Sequence, residues 1–90
     1  MNILINELSR MIETACALGL SEKDLMNAKE YLKHNELELC FDTVITQLYE
    51  YEIEINEQFY ELVSKIAKSM KLQQESYFFI KDLINYHGSK

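Results

Sequence analysis

Proline is absent from the 90-residue chain, and glycine occurs only at Gly19 and Gly88. So few turn formers exclude a turn-rich all-β fold and favour helices joined by short polar links. Cysteine is limited to Cys16 and Cys40, too few for a disulfide framework and not spaced as CxxC. Both lie among apolar neighbours in helical patterns, and buried thiols are expected. The start, Met-Asn-Ile-Leu-Ile-Asn-Glu, lacks a basic region, and Glu7 interrupts its apolar run, so no signal peptide is expected. No apolar run approaches the ~20 residues of a membrane helix. A soluble, cytoplasmic protein is the expectation.

The most informative absence is of positive charge. Residues 34–64 contain eight acids (Glu36, Glu38, Asp42, Glu50, Glu52, Glu54, Glu57 and Glu61) and no Lys or Arg. This stretch carries a formal charge of −8, against −6 for the whole chain; the remainder sums to +2, with nine bases and seven acids. An acidic run is commonly a solvated helix face. Such a face normally mixes both signs and gains from i,i+4 pairs. None can form between acids and Lys or Arg within 34–64. Aromatic residues are interleaved: Phe41, Tyr49, Tyr51, Phe59 and Tyr60. Acid plus tyrosine suggests a face built to meet a basic partner.

What is present reads as one domain, residues 1–90: an all-α, compact antiparallel bundle of four to five short helices. Apolar residues make up 48% of the chain, enough for a small core. Leu4, Leu8, Met11, Ala15 and Leu18 step by four and three, predicting a helix over 2–18 that Gly19 ends. Ser21 with Asp24 resembles a capping box opening the second helix, whose buried row is Leu25, Ala28 and Leu32. Lys33-His34-Asn35 ends it. The third helix covers about 36–51, with Leu37, Phe41, Val44, Leu48 and Tyr51 facing the core and Glu38, Asp42 and Tyr49 sharing a flank. In Glu52-Ile53-Glu54-Ile55 the isoleucines are expected to face inward, as an extended linker without a pairing partner. Asn56 caps the fourth helix, about 57–71, with Phe59, Leu62, Val63, Ile66, Ala67 and Met70 in its core. Glu61 is placed to pair with Lys65 at i+4. A last helix, about 74–86, is expected to bury Phe79, Ile80, Leu83 and Ile84, followed by a frayed tail at 87–90.

No converging catalytic constellation is visible. His34 and His87 lie in no HxxxH or HExxH pattern, no Cys–His spacing suggests zinc, and there is no Gly-rich phosphate loop. The chain is therefore expected not to be an enzyme and to need no cofactor or metal. The basic cluster Lys65, Lys68 and Lys71 complements a helix C-terminus, and the acidic stretch beside it would repel phosphate, so no direct nucleic-acid binding is expected.

The middle of the chain carries a family likeness. Asn27-Ala28-Lys29-Glu30-Tyr31-Leu32-Lys33-His34-Asn35-Glu36 is followed by Leu39-Cys40-Phe41-Asp42-Thr43-Val44-Ile45-Thr46-Gln47-Leu48-Tyr49-Glu50, and then by Ile53-Glu54-Ile55-Asn56-Glu57-Gln58-Phe59-Tyr60-Glu61-Leu62. This pattern of helix lengths, polar turn and aliphatic–acid linker, over about residues 25–72, resembles the MafI-type immunity proteins of bacterial polymorphic and contact-dependent toxin systems. Asn35 stands where a turn glycine would be expected. The resemblance implies a small helical protein that neutralises a cognate toxin, commonly a basic nuclease, and it brings no catalytic or interface residues to carry over. The charge pattern independently nominates Glu36, Glu38, Asp42, Tyr49, Glu50, Tyr51, Glu52, Glu54, Glu57, Tyr60 and Glu61 as partner-binding residues. The same helices also resemble a tetratricopeptide hairpin, whose implied function is an adaptor or secretion chaperone gripping a peptide in a concave apolar groove. An antitoxin that represses transcription would need a basic recognition helix, for which 65–71 is a poor candidate. Exposed tyrosines would equally suit a homodimer seam.

Overall fold

A computed structural model describes residues 2–85. Four α-helices account for most of it: α1 (Ile3–Leu18), α2 (Glu22–Lys33), α3 (Leu37–Glu50) and α4 (Glu57–Ser69). Two 3-10 segments follow, Gln74–Ser76 and Phe78–Leu83. The all-α class predicted from periodicity and the lack of turn formers is the one found. Its radius of gyration, 12.3 Å, is close to the ~12 Å of a compact chain this long.

Three helices start on side-chain caps. Asn2 accepts from the Ile5 N–H at 3.2 Å, Ser21 from the Asp24 N–H at 3.2 Å and Asn56 from the Phe59 N–H at 2.8 Å. At Ser21 the box closes differently from the standard pattern: the hydroxyl donates to the Asp24 carboxylate at 3.0 Å. Only α3 begins without a side-chain cap, on Glu36.

All four helices end in one way. The residues after α1, α2, α3 and α4 that turn left-handed are Gly19 (φ 116°), Asn35 (61°), Glu52 (51°) and Lys71 (60°). In each case the next amide reaches back to a carbonyl of the last turn: Leu20 to Ala15, Glu36 to Tyr31, Ile53 to Leu48 and Leu72 to Ala67. These are Schellman closures, which satisfy carbonyls that the helix itself leaves unpaired. Leu20, Ile53 and Leu72 then return apolar side chains to the core.

α1 is the central helix and touches the other three, burying Leu8, Met11, Ile12 and Ala15. α2 and α3 pack as a hairpin. α3 and α4 make little direct contact; the second 3-10 segment lies against both. Phe41, Val44, Ile45 and Leu48 of α3 and Phe59, Val63, Ile66 and Ala67 of α4 complete the core.

Several expectations are corrected. The last element is not an α-helix: Tyr77 and Ile80 are buried and Leu83 half-buried, a step of three residues that matches the 3-10 repeat and not 3.6. The linker has a pairing partner, because Ile55 forms a parallel bridge with Ile84. Its N–H donates to Leu83 O at 3.0 Å, and its carbonyl accepts from the Asn85 N–H at 3.2 Å. Ile55 is buried as expected and Ile53 half-buried. Tyr51 is not in the core row but 62% exposed, because α3 ends at Glu50 and Tyr51 is its C-cap residue, just before the left-handed Glu52. Cys16 is exposed, whereas Cys40 is buried. Lys65 does not pair with Glu61; its Nζ meets Glu7 of α1 at 3.1 Å, where Glu7 is nearly buried. The expected tail at 87–90 lies outside the described residues.

Candidate functional site: an acidic, tyrosine-bearing surface

α3 positions the first group. At about 100° per residue, Glu38, Asp42 and Tyr49 fall within ~40° of one another, while Phe41, Val44 and Leu48 face inward. Glu38 and Asp42 are a like-charged i,i+4 pair, an arrangement that destabilises a helix. Asp42's carboxyl is pushed above the ordinary carboxylate range, first by partial loss of water and then by the Glu38 charge. Asp42 lines a groove of about 410 Å³ between α2 and α3, together with Asp24, Tyr31, Leu39, Thr46 and Gln47. Asp24 is buried there but satisfied: the Ser21 hydroxyl holds one oxygen and the Gln47 side-chain amide donates to the other at 3.1 Å.

The α3–α4 linker positions the second group. Tyr49, Glu52 and Glu54 line a cleft of about 470 Å³, whose other wall is Asp82, Leu83, Ile84 and Asn85. The Tyr49 ring stands edge-on to Phe79, with centroids 4.9 Å apart and planes at 74°, and keeps 45% of its surface exposed. Asn85 donates to the Glu54 carboxylate. Asp82 is a site residue that the sequence reading missed. It lies outside the acidic stretch, and the Ile55–Ile84 bridge and the Phe79–Tyr49 contact bring its segment to the linker.

The remaining nominated residues are spread further. Glu36 sits at the start of α3, and Glu50 and Tyr51 at its end, all exposed. Glu57 lies in the first turn of α4, where its charge complements the helix dipole, and Glu61 one turn on; both are exposed. Tyr60 is the exception among the tyrosines. It is half-buried, its ring tilted against Tyr77 with centroids 5.8 Å apart. The structure thus brings Tyr49, Glu52 and Glu54 to one cleft and Asp42 to a separate groove, with Glu38 one turn before it on α3, while Tyr60 packs against Tyr77.

The eight acids of residues 34–64 are all exposed, and none forms a salt bridge with Lys, Arg or His among the described residues. His34 meets Glu30, outside that stretch, at 3.0 Å. No group of His, Cys, Asp and Glu among the described residues is arranged to hold a metal ion. Burial pushes the Cys40 thiol up to about 11, so it is protonated and unreactive at neutral pH. No helix among the described residues is long and apolar enough to cross a membrane. Comparison with protein-family models, curated proteins and solved structures finds no match.

Proposed function

We propose that this protein is an immunity-type inhibitor, acting in the cytoplasm by stoichiometric binding to a basic toxin domain of the nuclease kind. The observation that carries this reading is the set of eight exposed carboxylates without a cationic partner among the described residues. A surface optimised for the isolated fold would compensate those charges. This one keeps a like-charged pair at a cost to the free protein, with the Asp42 carboxyl raised first by partial loss of water and then by the Glu38 charge. A nuclease grips phosphates with Lys and Arg. Carboxylates placed where phosphates would lie meet the same side chains and steer encounter. Tyr49 and Tyr51, exposed beside the acids, are suited to desolvated anchoring at such an interface. The sequence resemblance to MafI-type immunity proteins implies the same role.

A peptide-gripping adaptor is less well supported. It requires an open apolar trough, whereas the chain's own second 3-10 segment lies against both α3 and α4. The test is co-expression with the product of the adjacent reading frame. A one-to-one complex in which nuclease activity is suppressed supports inhibition; an active nuclease alongside a saturating amount of this protein refutes it.

A further inference from the structure

We propose that residues 73–85 form a strap that opens as a unit from a folded body made of α1–α4, and that the cleft at Tyr49, Glu52 and Glu54 exists only while the strap is closed. The packing divides the molecule in this way. α1 joins α2, α3 and α4 into a body without help from the C-terminal residues, whereas the strap is needed only to span α3 and α4. It reaches α3 through Phe79 against Tyr49, and α4 through Tyr77, whose hydroxyl lies 3.1 Å from Ser64 Oγ.

The strap's backbone is weakly tied. Its internal bonds are i→i+3 closures, at Ser76, Tyr77, Ile80 and Ile84, and its backbone bonds to the rest of the chain are the two at Ile55. A run of 3-10 turns has poorer hydrogen-bond geometry than an α-helix and propagates less cooperativity. A hinge is present: Lys71 is left-handed and Gln73 extended, so α4 does not continue into the strap. Electrostatics also work against closure, because the strap brings Asp82 to the cleft that Glu52 and Glu54 line, offset by the Asn85 bond to Glu54. Opening therefore removes one wall of the cleft, and closure assembles it.

The inference stands on packing and does not depend on the proposed partner. Native-state hydrogen exchange on the whole free chain, followed by NMR over a low-denaturant series, tests it. The Ile55 amide is the reporter, since it belongs to the linker but is protected by Leu83 O of the strap. The expected result is that Ile55, Ile80, Ile84 and Asn85 exchange about tenfold or more faster than Ile12 and Ile66, with one shared denaturant dependence shallower than that of the body. Ala28→Gly, a change in α2 that packs on α1 and α3 and stays folded when the strap opens, is expected to accelerate Ile12 and Ile66 several-fold and leave those four amides unchanged. Equal rates and equal denaturant dependence for strap and body, or acceleration of the strap amides together with Ile12 in Ala28→Gly, would overturn the proposal by making the chain one cooperative unit. Loss of toxin binding would bear on the proposed function alone.

Discussion

Asp42 and Cys40 lie two residues apart within one turn of α3 and face opposite environments. Cys40 is sealed in the core; Asp42 sits at the surface beside Glu38. The signs of their pH effects follow. Asp42 binds its proton more tightly folded than unfolded, so its contribution to stability is greatest at low pH. That contribution is lost as pH rises from the ordinary carboxylate range through the raised folded value. Asp42→Asn is therefore expected to raise stability at neutral pH by no more than ~0.5 kcal/mol, since solvent screens an exposed pair. Urea unfolding should show the gain at pH 7 and none at a pH where the carboxyl is already protonated. For the thiols, one equivalent per native chain is expected to react rapidly with a disulfide reagent, at Cys16, and a second only on denaturation. Apolar neighbours pointed to burial at both cysteines, which is right for Cys40 and wrong for Cys16. Cys16 and Cys40 both sit in apolar runs, and only the identity of the opposing helix decides which face is covered.

Elements were legible where local chemistry determines them. Ser21 and Asn56 are good cap residues and do cap; Gly19 and Asn35 favour left-handed turns and make them. Glu52 and Lys71 were illegible as stops, because nothing in their side chains favours positive φ. There the packing of Ile53 and Leu72 overrides the local cost. Glu52→Gly and Lys71→Gly are each expected to stabilise the fold by about 0.5–1 kcal/mol, seen as a higher urea midpoint with an unchanged slope. A loss of stability would mean that the side chain, and not the backbone, holds the turn. The C-terminal element was misjudged in period. Phe79, Ile80, Leu83 and Ile84 fit an α-helical face, but Tyr77, Ile80 and Leu83 at steps of three mark the stripe that packs. Ile80, wholly buried, is the strap's deepest anchor. Ile80→Ala is expected to cost ~2–5 kcal/mol, measured by thermal or denaturant unfolding.

Across the whole molecule, the all-α class followed from composition and periodicity, because a chain without proline and with two glycines has few alternatives. The site was legible only in part. The charge imbalance is a property of sequence, and the structure keeps all eight acids at the surface. Their grouping was not legible. The Tyr49 cleft needs Asp82 and Asn85, delivered by a bridge between residues distant in sequence, while Tyr60 turns toward Tyr77 and is half-buried. Long-range pairing of this kind leaves no periodic trace.

The central claim is that the uncompensated carboxylates are a docking surface for a basic partner. Calorimetric titration against the product of the adjacent reading frame, as the proposed partner, at low and at high salt, compares the native chain with a Glu38→Lys/Asp42→Lys variant of unchanged helicity. The account predicts that affinity falls steeply with salt for the native chain, that the variant binds about tenfold or more weakly at low salt, and that the two converge at high salt. Equal affinities with a flat salt response would contradict it.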